Sequence, residues 1–454
     1  MEKFFNPKSV AIIGASHTPE KLGYVILENF VKKFNGKIYP VNPDTTPILN
    51  KEVFPSVKKI PDNVDLAIIV IPAPIVPNVL KECVEKKIEA VIIISGGFSE
   101  TGENGRKLEE KCKQIIKKSK TRVIGPNCIG ILDNFSNVDT LFFTEQRLNR
   151  PEQGNVSFIS QSGAFGSTVL DCLAEENVGI SKFISYGNAM DLNECDILEF
   201  LGKDKNTKVI TFFLEGVRDG KRFIQVAKKV SKQKPIILLK GGKTKAGTRA
   251  AASHTASLAG EYKIYSSVFK QTGIIEGTNW EEIFDFAKAF STQPLPKGKN
   301  VVIITNGGGF GVLASDECEK QDLELLEPNE EMKRKFRKVF PPHVILHNPL
   351  DLTGDATAER YAVALEECSK NKQYDGIILI TLFQIPTIEE KIVDVIIESA
   401  RKYKRPVLCC AIGGRFTRRW SERLEENGMP VYPTPERAVK AFAALARYSE
   451  WLRK

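Results

Sequence analysis

The sequence predicts an α/β protein built from parallel sheets with helices packed against them. Short apolar strands alternate with amphipathic helices along the first third of the chain. Two later stretches repeat a common pattern of strand, glycine-bearing turn and helix. Glycine, proline, serine and asparagine follow several strands, and the carboxyl ends of parallel strands are where such sheets bind ligands.

Length and composition indicate several globular domains. A chain of 454 residues is long enough for about three domains, and we expect them at 1–150, 151–294 and 295–454. The content of 42% hydrophobic and 27% charged residues is that of a globular protein. The net charge of +9 comes from lysines mixed with acids, so we expect no nucleic-acid partner.

No stretch predicts a membrane span, a leader peptide or a metal site. The apolar run 66–76 is too short to span a bilayer and is interrupted by prolines. Residues 1–8 lead directly into a strand, unlike a signal peptide. The nine cysteines include no C-x-x-C pair, which argues against structural zinc and a disulfide scaffold. We therefore expect a cytoplasmic protein that binds no metal itself.

The elements of the first third follow from apolar spacing. The helix predicted from residue 22 to 34 has apolar residues three and four positions apart. Further helices are predicted near 77–87 and 104–118. The strands between them are predicted at 10–13, 37–41, 65–71, 90–94 and 122–124.

The turn after the first strand predicts a phosphate site. Gly14-Ala-Ser16 leads into the first long helix, whose free backbone N–H groups can bind an anion, and Lys21 adds a cation. The turn lacks the second and third glycines of G-x-G-x-x-G, and no ribose-binding acid ends the next strand, which closes on Val41-Asn42. A nicotinamide dinucleotide is therefore disfavoured, although Gly14 alone would also suit an ordinary tight turn.

Three more strand ends fall on the same predicted edge. They carry Ile71-Pro72, Ser95 and Asn127, residue types that suit close backbone approach and hydrogen bonding. Each could be an ordinary loop. Together they predict a cleft for a long phosphorylated ligand.

The second and third domains look like copies of one design. Residues 158–171 align without gaps to 303–316, with Gly, Phe, Gly and Asp at matching places. Each copy places a helix N-terminus after a turn, at Ser162-Gly163 and at Asn306-Gly307-Gly308-Gly309. Helix N-termini attract anions, so both could face one phosphoryl group. Alternatively, the glycines only let each helix pack close to its strand.

A loop in the second copy carries the candidate nucleophile. Fifteen of the twenty-one residues from 240 to 260 are Gly, Ala, Ser or Thr, and His254 lies among them. A histidine delivered to an anion site can form a phosphohistidine, provided that its other ring nitrogen is held as a donor. Glu215, at the end of the strand 209–214, is the candidate partner. A surface role for His254, or a pairing of Glu215 with Arg218, is the alternative. The third copy lacks both residues.

At these residues the sequence resembles a known family. Gly14-Ala-Ser16, Val41-Asn42-Pro43 and Gly125-Pro-Asn127 resemble the CoA-binding domain of succinyl-CoA synthetase α subunits. The motif around Ser162-Gly163, together with Glu215 and His254, resembles that family's phosphate-binding helix, histidine partner and phosphohistidine loop. The third domain in the same chain is similar to α subunits of ADP-forming acetyl-CoA synthetases. The resemblance implies a Rossmann-like CoA-binding domain followed by two flavodoxin-like domains.

The resemblance also implies a reaction and a partner. CoA or acetyl-CoA and phosphate would bind to this chain, and a small carboxylic acid would be the other substrate. ADP or ATP with Mg²⁺ would bind to an ATP-grasp β subunit in an α2β2 assembly, since the segment 238–244 lacks the first glycine of a P-loop. The alternatives are a non-catalytic CoA-binding regulatory module related to protein acyltransferases, a succinyl-CoA synthetase-like enzyme for another acid and, third, a dehydrogenase.

Overall fold

The computed structural model describes residues 1–249 and 261–454. Within them the chain forms two compact units, Met1–Thr278 and Asn279–Lys454. Two sheets belong to the first unit and one to the second, and most of their strand pairs are parallel. The predicted α/β class is therefore confirmed.

The first sheet is fully parallel and has the strand order β2-β1-β3-β4-β5. Its strands β1 to β4 are buried along most of their length because helices cover both faces. All five predicted strands of the first third are present, in the order β1 Ser9–Ile13, β2 Lys37–Val41, β3 Leu66–Ile69, β4 Ala90–Ile93 and β5 Arg122–Ile124.

The second sheet has the order β12-β11-β10-β8-β9-β6-β7. Its members are β6 Gly130–Asp133, β7 Val138–Asp139, β8 Gln153–Ser160, β9 Ile180–Ser185, β10 Val209–Leu214, β11 Ile236–Lys240 and β12 Ile275–Gly277. Strand β6 runs antiparallel to both β7 and β9. Residues of the first predicted domain therefore form one edge of the second sheet.

The third sheet lies in the second unit, with the order β14-β13-β16-β17-β18 and with β15 paired to β13. Its strands are β13 Asn300–Thr305, β14 Glu324–Leu325, β15 Leu350–Asp351, β16 Gly376–Thr381, β17 Val407–Ala411 and β18 Val431–Tyr432. The central strands β13, β16 and β17 correspond to the repeated strands of the predicted duplication.

Helices connect the parallel strands, as β-α-β units require. The predicted helices of the first third are present within two residues of their expected starts. Helices bounded within the described residues are Glu2–Phe5, Leu22–Lys33, Val76–Glu85, Glu103–Ile116, Gly163–Glu175, Glu194–Lys203, Gly220–Ser231, Tyr262–Thr272, Trp280–Thr292, Gly308–Lys320, Glu330–Phe336, Ala358–Lys370, Lys391–Tyr403, Arg415–Glu426 and Pro435–Arg453. None of the described helices is long and apolar enough to cross a membrane.

Each unit has its own apolar interior. In the first unit one core cluster runs from the first sheet, with Val10 and Ile12, into the second, with Ile159 and Ile184. The second unit packs a separate core on its sheet. All nine cysteines are free, and eight of them are buried, as small apolar core residues often are.

Candidate functional site

A cleft of about 1220 Å³ opens in the first unit, at the carboxyl ends of the first sheet. It extends from the turn after β1 to the start of the helix Gly163–Glu175. The predicted ligand-binding residues that line it are Gly14, Ser16, Lys21, Ile71, Pro72, Ser95, Asn127, Ser162 and Gly163. The structure thus brings seven of the nine predicted CoA-site residues and the start of the first predicted phosphate-binding helix into one cavity.

The turn after β1 requires glycine at position 14. Gly14 has φ +97°, and a Cβ there would lie 2.3 Å from the carbonyl oxygen of Val70. A Cβ at Gly23 would lie 2.0 Å from the carbonyl oxygen of Gly14, so the helix Leu22–Lys33 begins directly against the turn. No side chain caps that helix at Lys21, which leaves its N-terminus open toward the cleft.

Val41 and Asn42 support this turn and are not among the residues that line the cleft. The N–H of Gly14 donates to the carbonyl of Val41 at 3.0 Å. The Asn42 amide donates to the carbonyl of Ala15 at 2.6 Å. These two hydrogen bonds hold the end of β2 against the end of β1. Val41 and Asn42 therefore support the turn from outside the cleft.

The ends of the next strands are fastened to one another. The Ser95 hydroxyl accepts from the N–H of Ile71 at 3.2 Å and donates to the carbonyl of the same residue. Asn127 has φ +57°, and its amide donates to the side chain of Asn188 at 3.2 Å. These bonds fix the floor of the cleft, while Pro72 and Asn127 stay exposed.

The helix Gly163–Glu175 begins at the far end of the cleft. The Ser162 side chain caps it by accepting from the N–H of Phe165 at 3.4 Å. Gly163 lies close to Ile129, since a Cβ on Gly163 would be 3.0 Å from Cγ1 of Ile129. A capped start with small residues leaves backbone N–H groups open to an anion.

Glu215 follows β10, as predicted, and is 7% exposed. Gln161 links it to the helix start, because Oε1 of Gln161 accepts from the N–H groups of Glu215 and Gly216 at 2.8 and 3.1 Å. Lys240 donates to the carbonyl of Glu215 at 2.7 Å and lies 4.7 Å from the ring centre of Tyr265. Burial lowers the pKa of Lys240.

His254 lies outside the described residues, so its predicted role remains a prediction. The described residues on either side of it converge on Glu276. The Lys243 ammonium lies 2.7 Å from Oε1 of Glu276, and the Tyr262 hydroxyl donates to the same oxygen at 2.7 Å. Lys243 and Tyr262 therefore share one carboxylate oxygen on β12.

The second predicted phosphate site, Asn306 to Gly309, belongs to the second unit. Asn306 is 2% exposed, and its amide exchanges hydrogen bonds with the N–H and carbonyl of Leu382. Gly307 precedes the helix Gly308–Lys320, and Gly308 and Gly309 are exposed. A Cβ on Gly308 would lie 2.6 Å from a carboxylate oxygen of Asp351, so an acid already stands beside this helix start.

Several cleft residues were not predicted. Glu100 accepts from the N–H of Gly97 at 2.6 Å and from the Asn188 amide at 2.6 Å. Burial raises the pKa of Glu100, but these and neighbouring hydrogen bonds outweigh burial, and the net pKa is lowered. Arg218 donates to the carbonyls of Asn188 and Ala189. The residues that line the cleft and were not predicted include Glu100, Ile129, Phe142, Phe143, Gln161, Asn188 and Arg218.

Asn188 follows the carboxyl end of β9, so the strand-end rule could have found it. Arg218 follows β10 in the same way and was considered only as a partner of Glu215. Across residues 1–249 and 261–454, no group of three or more His, Cys, Asp or Glu side chains is arranged to hold a metal ion.

The residues of the cleft are those of a protein that binds a phosphorylated ligand and a separate anion side by side. A glycine turn suited to a phosphorylated ligand and a helix start suited to an anion share one elongated cavity. Three family models match the chain: a CoA binding domain at 8–134, a succinyl-CoA ligase like flavodoxin domain at 153–290 and a ligase-CoA domain at 301–454. These matches confirm the CoA-binding and flavodoxin-like assignments of the fold.

Full-length relatives make the class specific. The α subunit of ADP-forming acetate–CoA ligase I from Pyrococcus furiosus is 42% identical to this chain. The alignment covers 100% of this chain and 99% of the Pyrococcus furiosus protein. The ADP-forming acetate–CoA ligase of Methanocaldococcus jannaschii is 43% identical over 98% of this chain, which corresponds to 62% of that longer protein.

A solved structure agrees with these relatives. The dinucleotide forming acetyl-coenzyme A synthetase 1 of Ca. Korarchaeum cryptofilum, in complex with phosphate and ADP, superposes with a TM-score of 0.93. The two sequences are 36% identical, and the superposition covers 100% of this chain and 97% of the Ca. Korarchaeum cryptofilum chain. The chain belongs to the family of ADP-forming acetate–CoA ligase α subunits.

Proposed function

We propose that this chain is the CoA-binding and phosphoryl-carrying subunit of an ADP-forming acyl-CoA synthetase, with acetate as the expected acid. The observation that carries the proposal is the continuous cleft from Gly14 to Gly163. It can hold the phosphates of CoA at the first turn and bring the thioester to an anion bound at the second helix start. Family membership supports the same assignment.

Membership of the family implies the sequence of chemical steps. A phosphate oxygen attacks the thioester carbon, the C–S bond breaks, and CoA leaves as a thiolate. An imidazole nitrogen of His254 then attacks phosphorus in the acyl phosphate, and the carboxylate leaves. An oxygen of the β-phosphate of ADP takes the phosphoryl group as the P–N bond breaks, which gives ATP and restores the imidazole.

The roles of the individual residues are part of the proposal. Ser162 and Gly163 would hold the phosphate, and Glu215 would fix the tautomer of His254. Gln161 supports the arrangement because it bonds the backbone at Glu215 from the residue beside Ser162. Asn306 to Gly309 would form a second anion site, and 1–150, 151–294 and 295–454 would be the three domains.

The nucleotide would bind to a second chain. We infer an ATP-grasp β subunit that holds ADP or ATP with Mg²⁺ in an α2β2 assembly in the cytoplasm. The relatives from Pyrococcus furiosus are named as α subunits, and those from Archaeoglobus fulgidus and Methanocaldococcus jannaschii are longer single proteins. Free thiols throughout the chain suit a reducing compartment.

Phosphorylation of the chain tests the proposal. The purified chain with its nucleotide-binding partner, Mg²⁺ and γ-labelled ATP should acquire base-stable, acid-labile label at His254, located by mass spectrometry. His254→Ala should remove the label and the synthesis of ATP, whereas CoA binding measured by calorimetry should persist. His347→Ala, at an exposed histidine of the second unit, should leave labelling unchanged.

Two results would contradict the proposal. Undiminished label and turnover in His254→Ala would exclude the phosphohistidine. CoA binding without any phosphorylation of the wild-type chain by an active partner would favour the non-catalytic CoA-binding module instead.

A further inference from the structure

The position of the acyl group follows from the proposed function, on which this inference rests. The attacking phosphate and the thioester carbon must approach to about 3–3.5 Å. If phosphate binds at Ser162 and Gly163, the acyl group lies at that end of the cleft and not beside the turn after β1. Any side chain that limits acyl size must therefore contact the start of the helix Gly163–Glu175.

Ile129 meets this condition. It lines the cleft and is otherwise buried, with 6% exposure. Two of its side-chain carbons, Cγ1 and Cδ1, would lie 3.0 and 3.3 Å from a Cβ on Gly163. The other lining residues at the helix start are Gln161, Ser162 and Ala164, which are polar or small.

The backbone holds Ile129 in place. Its N–H donates to the Ser185 hydroxyl at the end of β9, at 3.3 Å. Residue 129 immediately precedes β6, which is paired to β9. A side chain fixed at both its backbone and its buried carbons cannot withdraw without disturbing the second sheet.

We propose that Ile129 sets the size of the acyl group accepted by this enzyme. Its branched side chain closes the cleft beside the phosphate site, so that short aliphatic acids fit and longer ones collide with Cγ1 or Cδ1. Replacement of isoleucine by alanine removes three carbons and should admit an acyl chain that is longer by two or three carbons.

Ile71 provides a matched control at the opposite end of the same cleft. It is also an isoleucine that lines the cavity, and its Cγ2 would lie 2.8 Å from a Cβ on Gly14. Truncation of Ile71 should therefore affect the binding of the CoA portion, which all acyl-CoA substrates share.

The test is a comparison of kcat/KM for acetyl-CoA, propanoyl-CoA, butanoyl-CoA and pentanoyl-CoA in the two-chain complex with ADP and phosphate. Release of the CoA thiol and formation of ATP are both followed. In Ile129→Ala the ratio of butanoyl-CoA to acetyl-CoA should rise about tenfold or more, since one methylene in an apolar pocket is worth about 10–200-fold. Ile129→Val should shift the ratio less and in the same direction, and Ile129→Phe should depress acetyl-CoA turnover.

Ile71→Ala should change kcat/KM for all four substrates alike. Thermal unfolding of each variant checks its folding, and Ile129→Val supplies the answer if the alanine variant does not fold. An unchanged ratio in folded Ile129 variants, or a change in Phe142→Ala or Phe143→Ala instead, would overturn the inference while the proposed function stands. Absence of turnover of all four substrates by the wild-type complex would refute the proposed function itself.

Discussion

At the scale of single residues, the cleft depends on where the chain can do without a side chain. Gly14 combines a left-handed backbone with a carbonyl only 2.3 Å from where a Cβ would stand. Gly220, at the start of another helix, has open space around it and no such backbone requirement. Substitution of alanine at Gly220 therefore measures the general effect of replacing a glycine on stability. The same substitution at Gly14 measures, in addition, the effect of a side chain in this turn.

Gly14→Ala should lower the free energy of unfolding by at least about 1–3 kcal/mol, the typical cost of a strained backbone. It should also abolish measurable CoA binding, because the added methyl group would push Val70 and Ile71, after β3, away from the turn. Urea unfolding and calorimetry measure the two effects. Gly220→Ala should change the free energy of unfolding by less than about 1 kcal/mol and leave CoA binding intact; equal effects of both substitutions would contradict this account.

The sequence was informative about residues whose chemistry is visible in their type and position. Ser95, Asn127 and Ser162 were predicted because polar residues at strand ends are easily recognised. Ile129 could not be recognised in this way, because the sequence does not distinguish an apolar residue of the core from an apolar residue that lines a pocket. Asn306 was predicted as part of an anion site, and that role stays a prediction; in the structure the nitrogen and the oxygen of its side-chain amide both bond to the backbone of Leu382.

At the scale of elements, Glu276 on β12 links described residues that precede and follow residues 250–260. Lys243 follows β11, Tyr262 begins a helix, and both reach one carboxylate oxygen on β12. Lys243 also donates to the carbonyl of Gly277 at 3.2 Å. One residue of β12 thus helps to hold both Lys243 and Tyr262 in place.

Tyr262→Phe should lower the free energy of unfolding by about 0.5–1.5 kcal/mol at neutral pH, the usual value of one hydrogen bond. Burial, followed by the hydrogen bond to Glu276, raises the pKa of Tyr262 to about 12 from 10.0. A raised pKa means that the contribution is present below pH 10 and is lost as the pH rises toward 12. The difference in stability between wild type and Tyr262→Phe should shrink in that window.

A double-mutant cycle controls this prediction. In a Glu276→Gln background, Tyr262→Phe should cost less than in the wild type, because the charged acceptor is absent. Equal costs in both backgrounds would show that Tyr262 acts through packing alone.

Apolar periodicity was sufficient for the long elements, such as the helix Leu22–Lys33 and strand β10. It could not predict the pairing of β6 and β7 with the second sheet. These strands have four and two residues, too few for a periodic pattern, and β9, the partner of β6, is about fifty residues away. Such non-local pairing is decided by tertiary packing, which a local pattern does not contain.

At the scale of the whole molecule, a cluster of charged side chains holds together one edge of the second sheet, whose core is continuous with that of the first sheet. Lys182 on β9 is 2% exposed and lies 3.3 Å from Asp133 on β6 and 3.0 Å from Asp204. Burial raises the pKa of Asp133, and the ammonium of Lys182 opposes that shift. The three charges hold the edge strands against the body of the second sheet.

Lys182→Met should lower the free energy of unfolding by about 3–5 kcal/mol, because it leaves the buried carboxylate of Asp133 and the partly buried carboxylate of Asp204 without their cation. Lys32→Met, which removes an exposed pair with Glu28, should cost less than about 1 kcal/mol. Hydrogen exchange should show β1 and β10 losing protection together in Lys182→Met. Loss confined to the second sheet would mean that the two sheets unfold separately.

The order of the elements and the likeness of the second and third domains could be predicted at this scale, because repeats are visible in a single sequence. The sequence did not predict how far the first two domains share one hydrophobic core. Apolar residues such as Ile12 and Ile159 look identical whether they serve one core or two, and only the contacts between them decide.

The course of the chain through β6 and β7 limits how this enzyme can be recombined. The chain passes from β5 of the first sheet directly into β6 and β7, which form one edge of the second sheet. A fusion point near residue 150 would therefore separate β6 and β7 from the rest of the second sheet. Chimaeras that exchange acyl preference between relatives should therefore transplant the stretch from β1 through β12 as a single cassette.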